Sequence, residues 1–187
     1  MNEASSPEPT DPERTRTRRD DNPDRRGPSA WDSALRLLGV RARSRHEMRE
    51  RLTRKGFDTD TVDEVMARLD KHQLLDDTDF AAEWVRSRHL NSGKGRVALR
   101  HELRTKGISE SIIAETLAEI DPDDEREIAA GLVARKLTPS VAERVVADRA
   151  EREKTLRRLV GFLVRRGYSQ SLAFDVVGEA LGALEDA

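Results

Sequence analysis

Apolar residues recur every three or four positions along most of the chain, which is the spacing of one buried face of an α-helix. The pattern is clear in residues 62–69 (VDEVMARL), 113–120 (IAETLAEI) and 156–163 (LRRLVGFL). No run of alternating apolar and polar residues is long enough to suggest a β-sheet. The pattern therefore predicts an all-α protein.

Polar residues and glycines divide this pattern into separate helices. Ser44 with Glu47 matches the S-x-x-E capping box of a helix start. Ser109, Asp121 and Ser169 are further N-cap candidates. We expect helices to end where a basic residue is followed by Gly, because Gly adopts the left-handed C-cap conformation at little cost. A cation in the last turn also favours the negative end of the helix dipole.

Three of these helix ends are copies of one motif, L-x-x-[KR]-G-[apolar]. Each copy precedes an amphipathic helix, predicted over roughly 59–73, 109–120 and 169–184, and its glycines are 51 and 60 residues apart. The sequence therefore predicts an internal repeat with three helices per unit. The longer second spacing indicates extra sequence near 138–150. The motif residues are Leu52, Gly56, Phe57, Leu103, Gly107, Ile108, Leu163, Gly167 and Tyr168.

The repeat divides the chain into four segments. Residues 1–29 hold five of the seven prolines and almost no large apolar side chain, so we predict a disordered tail. We predict three tandem repeats over 30–75, 76–120 and 121–187. Because a three-helix unit buries little apolar surface alone, we expect neighbouring units to pack into one elongated body.

Composition narrows the classes of protein that remain. The chain is 36% hydrophobic, 37% charged and 4% aromatic, which fits stacked helices better than a β-sandwich or barrel. It has no cysteine, which excludes a disulfide scaffold, a thiol nucleophile and thiolate-bound zinc. No apolar run is long enough to span a membrane, and no secretory signal is visible. We expect a cytoplasmic protein.

No catalytic or metal-binding constellation can be assembled from the sequence. The four histidines (His46, His72, His89 and His101) lie in no metal-ligand spacing, and the acidic segment 121–127 lacks the pattern of a calcium loop. We interpret the histidines as surface or structural residues. The sequence predicts a protein that is not an enzyme and needs no cofactor.

The segment Gly93–Arg96 allows two interpretations. It is not a P-loop, because the earlier Gly of that motif is replaced by Arg88 and Lys94 is followed by Gly95. The first interpretation is a flexible loop that opens a helix. The second is a helix start whose backbone N–H groups, with Lys94, bind an anion such as a nucleic-acid phosphate.

Charge is unevenly distributed, although the net charge is only −2. Residues 81–107 hold seven basic and two acidic residues, whereas residues 108–130 hold one basic and eight acidic residues. Arg96, Arg100 and Arg104 recur every four residues and form one basic stripe, which suits a phosphate backbone or an acidic protein groove. The candidate contact residues are Arg41, Arg43, Arg45, Arg54, Lys55, Arg86, Arg88, Lys94, Arg96, Arg100, Arg104 and Lys106.

Aromatic residues can stack on nucleic-acid bases, but helical spacing favours another role here. Phe80 and Trp84 are four residues apart, and Phe174 lies among apolar neighbours. We therefore expect these three rings to pack in the core.

The sequence resembles the RecX family of recombination regulators over most of residues 34–177. The most specific stretch, residues 69–88, reads L-x-K-x-x-L-L-D-D-x-x-F-A-x-x-W-V-x-x-R, and residues 94–108 then read K-G-x-x-x-L-x-x-E-L-x-x-K-G-I. The segments 34–57 and 155–169 also match. The match weakens over 121–150.

The resemblance implies three tandem three-helix repeats and a non-enzymatic protein that binds the RecA recombinase. Such proteins lodge in the groove of the RecA filament on single-stranded DNA and restrain its ATPase, strand-exchange and coprotease activities. We expect a monomer in which residues 94–106 and 41–45 face the filament or its DNA. The acidic residues 119–127 would face a basic surface of RecA. Reversal of Arg96, Arg100 and Arg104 to Glu is expected to abolish inhibition without unfolding the protein.

Two other functions fit the residues. One is a nucleic-acid-binding protein without filament specificity, which would bind naked DNA tightly and in a salt-dependent way. The other is a helical-repeat adaptor for an unrelated protein, which would not affect recombination reactions.

Overall fold

The structure is a computed structural model that describes residues 28–184, and it confirms the all-α prediction. Within that range the chain forms ten α-helices and no β-strand. One turn of π-helix, Ser87–Asn91, continues α4. The helices are α1 (Ala30–Val40), α2 (Arg45–Arg54), α3 (Thr59–Lys71), α4 (Asp77–Arg86), α5 (Arg96–Thr105), α6 (Glu110–Ala118), α7 (Pro122–Ala134), α8 (Pro139–Ala147), α9 (Arg149–Arg165) and α10 (Gln170–Gly182).

The helices form three units, and each unit has an apolar core of its own. The first unit is α1–α3, the second is α4–α6 and the third is α7–α10. Met48, Leu99 and Leu159 occupy equivalent places, four residues before the leucine of the repeated motif, and all three are buried. We propose unit boundaries at 75/76 and 120/121, since the buried residues of each unit cluster within these limits.

The predicted helix starts are confirmed. Ser44 Oγ accepts a hydrogen bond from the backbone N–H of Glu47 at 3.1 Å, and Ser169 Oγ accepts one from Leu172 at 3.2 Å. Ser109 and Asp121 cap α6 and α7 in the same way. The other half of the predicted capping box is absent, because the Glu47 carboxylate binds two cations instead.

The first helix begins at Ala30, directly after the predicted tail, and only its N-cap belongs to that tail. Ser29 Oγ accepts a hydrogen bond from the N–H of Asp32 at 3.0 Å, so Ser29 is the N-cap of α1. The rest of the predicted disordered tail, apart from Pro28, lies outside the described residues.

The three copies of the repeated motif adopt one conformation. Gly56, Gly107 and Gly167 have φ angles of +91°, +73° and +90°. In each copy the N–H of the residue after Gly returns to the carbonyl of the motif leucine, which is the bond of a Schellman cap. These bonds are Phe57 to Leu52 (3.4 Å), Ile108 to Leu103 (3.1 Å) and Tyr168 to Leu163 (3.2 Å). The motif therefore ends α2, α5 and α9.

The third unit contains one helix more than the other two. The extra helix is α8, which lies within the segment 138–150 and packs against α9. Helix α9 has 17 residues, whereas α2 and α5 have 10 each. The insertion predicted from the motif spacing is thus a helix followed by two additional turns of α9.

Two of the three rings expected in the core pack there, and one does not. Phe80 is buried and stacks on the half-buried Trp84, with ring centroids 5.8 Å apart. Phe174 is 43% exposed, so the prediction for this residue was wrong. The apolar face of α10 is formed by Ala173, Val176 and Val177, and Phe174 lies beside that face.

Candidate interaction surfaces

In each of the first two units, the helix that ends in the repeated motif begins against the C-cap of the corresponding helix of the next unit. At the first junction, Ser44 Oγ at the start of α2 donates to the carbonyl of Lys106 at the end of α5, at 2.6 Å. At the second junction, the N–H of Gly95 before α5 donates to the carbonyl of Arg166 after α9, at 3.0 Å. A side-chain hydroxyl or a backbone N–H at a helix start therefore donates to a carbonyl that has no partner within the helix that ends there. The opposite dipole ends attract each other as well.

Arg45, the first residue of α2, joins the first junction to the start of the second unit. Its backbone N–H donates to Asp77 Oδ1 at 2.9 Å. Its guanidinium Nη2 donates to the carbonyl of Leu75, just before α4, at 3.1 Å. The side chain thus fixes the linker between the two units.

Arg96, the first residue of α5, does the same at the second junction. Its backbone N–H donates to Glu125 Oε1 at 3.0 Å, and its guanidinium binds the Glu125 carboxylate and the carbonyl of Ile120, just before α7. Arg45 and Arg96 each stand seven residues before the motif leucine, so they are equivalent residues of the repeat. Both of these candidate contact residues are engaged inside the chain.

The helix start at residues 93–96 is not a free anion site. Its backbone donors are used by Glu125 and by the carbonyls that end α9. Glu125 is only 7% exposed, so it does not contribute to the acidic face that we expected over residues 119–127. A side chain of the same protein, Glu125, therefore occupies the place of the anion in the second interpretation, and Lys94 pairs with Glu102 instead.

Glu47 forms a buried ion cluster across the first junction. Its carboxylate accepts hydrogen bonds from Arg41 Nη1 at 2.9 Å and from Lys106 Nζ. Burial opposes ionisation, but the hydrogen bonds and charges of Arg41 and Lys106 outweigh it and lower the pKa of Glu47 to about 2. Arg41 and Lys106, both contact candidates, thus have a structural partner.

Arg43 was wrongly placed among the contact residues. It is 7% exposed, and its Nε donates to the carbonyl of Leu37 at 3.1 Å. Burial, together with the nearby charge of Arg41, lowers the pKa of its guanidinium.

The remaining candidates are surface cations, and most have an acidic neighbour. Arg100 and Arg104 share the carboxylate of Glu110, so the stripe on α5 keeps a net positive charge. Exposed pairs of this kind contribute roughly 0–1 kcal/mol, so a partner can break them at little cost. The side chain of Lys55 has no hydrogen bond or ion pair to a described residue. The other pairs are Arg54–Glu50 (2.8 Å), Arg86–Glu83 (3.1 Å), Lys94–Glu102 (3.6 Å) and Arg88–Glu102 (3.9 Å).

A group of unpaired cations lies in the third unit, where no contact residue was predicted. Their side chains are exposed and form no hydrogen bond or ion pair with a described residue. The signal in the sequence is the segment 155–166 (TLRRLVGFLVRR), which has four arginines and no acid. The five unpaired cations of this unit are Arg135, Lys136, Arg144, Arg158 and Arg165.

Other kinds of site find no support among residues 28–184. His89 is buried and its Nδ1 donates to the carbonyl of Lys94 at 2.8 Å, which is a structural role. No group of His, Asp or Glu in this range is arranged to hold a metal ion. In the same range, every helix is too short or too polar to cross a membrane.

Two family models match the chain where the first two units lie. The model for the first three-helix domain of RecX matches residues 30–69, and the model for the second matches residues 76–117. A solved structure of RecX from Lactobacillus salivarius superposes with a TM-score of 0.66 over 82% of this chain and 95% of that one. At 23% identity, this likeness concerns the fold alone.

Curated relatives match over most of the chain. A regulatory protein RecX from Mycolicibacterium smegmatis is 48% identical over 160 residues, which are 86% of this chain and 84% of the relative. A regulatory protein RecX from Amycolatopsis mediterranei is 39% identical over 159 residues, which are 85% and 87% of the two chains. The chain therefore belongs to the RecX family of regulatory proteins.

Proposed function

We propose that the protein binds the RecA filament on single-stranded DNA and inhibits the ATPase, recombinase and coprotease activities of RecA. The observation that carries this proposal is the 48% identity to a regulatory protein RecX over 160 residues. The protein acts in the cytoplasm as a monomer and by binding alone, without catalysis and without a cofactor.

The junctions support binding to a partner built from repeated subunits. Hydrogen bonds and ion pairs link each unit to the next, so surface groups on different units are held at fixed separations. A partner with regularly spaced sites can then engage several units at once, and each further contact becomes intramolecular.

The filament contacts are seven cations on the surface of the first two units. Arg100 and Arg104 on α5 are the strongest candidates, because two guanidinium groups share one exposed carboxylate. The other contacts are Arg54, Lys55, Arg86, Arg88 and Lys94. Arg45 and Arg96 act indirectly, by holding the units together.

The test is the ATPase activity of RecA on single-stranded DNA, titrated with this protein at fixed salt. We expect inhibition at protein concentrations below that of RecA. Binding to the same DNA without RecA, measured by fluorescence anisotropy, is the control for competition. Inhibition that appears only once the DNA is saturated would favour a nucleic-acid-binding protein without filament specificity. No inhibition at equimolar protein would favour an adaptor for another partner.

A pair of variants tests the contact residues within the same assay. Arg100→Gln with Arg104→Gln is expected to weaken inhibition, whereas Arg36→Gln with Arg51→Gln removes the same charge from exposed positions of the first unit. Both variants should unfold at the same urea concentration as the unmodified protein. Equal inhibition by the two variants would remove Arg100 and Arg104 from the interface.

A further inference from the structure

A cleft of about 1000 Å³ lies where the second unit meets the third. Leu90 of the π-helical turn stands on one side and is 63% exposed. Ile128 and Leu132 of α7 and Phe162 of α9 form the apolar part of the wall. A second, smaller cleft adjoins it and shares Phe162 and Lys136. Together the two clefts form one continuous depression along the third unit.

Cations surround this depression, and they are not neutralised by the chain. Arg135 and Lys136 line the first cleft, and Arg158 and Arg165 line the second. None of the four side chains has a hydrogen bond or ion pair with a described residue. Glu127 is the only acid in the lining of either cleft, so the depression has a clear excess of positive charge.

Two of the cationic groups lie over the ring of Phe162. The Arg166 guanidinium is 5.0 Å from the ring centroid and also donates to the carbonyl of Ser92 at 2.7 Å, so its position is fixed. Lys136 Nζ lies 5.5 Å from the same centroid. A guanidinium that is held in place over an aromatic ring is a surface on which a nucleic-acid base can stack.

These features favour one ligand class. The unpaired cations extend along two adjoining clefts, which suits a ligand with charge repeated along its length. The apolar wall and the held guanidinium suit the faces of bases, which are accessible in a single strand and buried in a duplex.

We call the depression formed by these two clefts the α7–α9 cleft. We infer that the α7–α9 cleft is a binding site for single-stranded nucleic acid. Arg135, Lys136, Arg158 and Arg165 bind phosphates, and the surface formed by Arg166 and Phe162 supports a base. The inference rests on the proposed function for its setting, since it assigns the single-stranded DNA contact of the filament to the third unit. The exposed cations of the second unit are then left to contact RecA.

The experiment measures binding of a fluorescein-labelled oligothymidylate by anisotropy over a range of salt concentrations, without RecA. The cleft variant is Arg135→Ala with Arg165→Ala. The matched control is Arg36→Ala with Arg144→Ala, two exposed arginines that line neither cleft and have no ion pair with a described residue. Each removed phosphate contact should reduce the slope of log affinity against log salt by about 0.7, so the cleft variant should lose about 1.4.

A smaller slope in the cleft variant, with an unchanged slope in the control, supports the inference. Equal slopes in the two variants overturn it. A labelled oligoglutamate peptide is measured in parallel. If the cleft substitutions weaken binding of the peptide and leave binding of the oligothymidylate unchanged, the cleft is a protein-binding site and the inference is wrong. If the unmodified protein does not inhibit RecA, only the proposed function is overturned, because the anisotropy measurement contains no RecA.

Discussion

At the scale of single residues, buried charges of this protein hold units together. Glu47 lies between Arg41 and Lys106, and Glu125 binds Arg96. Removing one partner of a buried pair leaves an uncompensated charge, which costs far more than the pair contributes. This is why reversal of Arg96 is not the harmless surface change that the basic stripe suggested.

Glu47→Gln tests the first of these clusters. The substitution leaves Arg41 and Lys106 without their anion, so we expect the free energy of unfolding to fall by about 1.5–3 kcal/mol at neutral pH. The pKa of Glu47 is lowered from 4.5 to about 2, so its stabilisation is complete above pH 4.5 and is lost as the pH falls towards 2. Urea unfolding of both proteins at several acidic pH values measures the difference. A difference that stays constant down to the lowest pH would contradict this account of Glu47.

Tyr168 reports on the second junction, and it is the only tyrosine in the chain. Burial, aided by the charge of Glu125 and opposed by Arg166, raises the pKa of its phenol to about 12. Because the pKa in the folded protein is above the ordinary 10, the related stability is complete below pH 10 and is lost as the pH rises through 12. We predict that phenolate absorbance appears with a midpoint near 12 in the native protein and near 10 in urea. A native midpoint near 10 would mean that the ring is exposed.

At the scale of helices, the same C-cap has two different surroundings. A Cβ on Gly107 would lie closer than 3.0 Å to His46, and one on Gly167 would overlap Ala98 in the same way. A Cβ on Gly56 would meet nothing within 4 Å, because no described residue packs on the end of α2. The motif therefore ends a helix in all three units. In the second and third units it also contacts the helix start of the preceding unit.

Gly107→Ala and Gly56→Ala separate these two roles. Both substitutions place alanine at a positive φ, which costs about 1–2 kcal/mol. Gly107→Ala must also displace the start of α2, at a further cost of about 1–3 kcal/mol. We therefore expect a clearly lower urea midpoint for Gly107→Ala than for Gly56→Ala. Equal midpoints would show that the junction tolerates a methyl group and is looser than described.

The helices and their ends could be predicted from the sequence because their signals are local. Ser44 and Gly107 lie within a few residues of the bonds that they make in their own helix. The role of Arg96 could not be predicted in this way, because its partner Glu125 is 29 residues further along the chain. The spacing of arginines along α5 predicted a basic stripe, but Arg96, its first member, is paired with Glu125 in the folded protein.

The candidate site was predictable only in part, for the same reason. Whether a cation is free depends on which acids the fold brings to it. Arg100 and Arg104 receive Glu110 from the next helix, whereas Arg135 and Arg165 receive no acid from a described residue. The uneven charge of residues 81–130 therefore predicted contacts in the second unit, although more unpaired cations lie in the third.

At the scale of the whole molecule, two junctions connect the three described units, and the first and third units differ at their outer ends. The position that holds Arg45 in the first unit and Arg96 in the second is Leu156 in the third. Leu156 lies inside α9, which begins seven residues earlier, and α8 packs against this helix. The third unit therefore lacks both the arginine and the helix start that a further junction of this kind would need. Terminal repeats of such arrays are typically modified in this way.

Distribution of charge over the units gives the molecule two distinct surfaces. The second unit presents arginines that are loosely paired with Glu110, and the third presents the unpaired cations of the α7–α9 cleft. A protein that binds a filament of RecA and single-stranded DNA needs contacts of two kinds, and the junctions hold these surfaces in a fixed relation.

Co-sedimentation distinguishes binding to the RecA filament from binding to RecA or to DNA alone. The protein is centrifuged with RecA filaments assembled on single-stranded DNA, with RecA alone, and with the same DNA coated by a single-strand-binding protein. We predict that it pellets with the filaments and stays in the supernatant with the other two. Equal recovery with coated DNA, or no recovery with the filaments, would contradict the account.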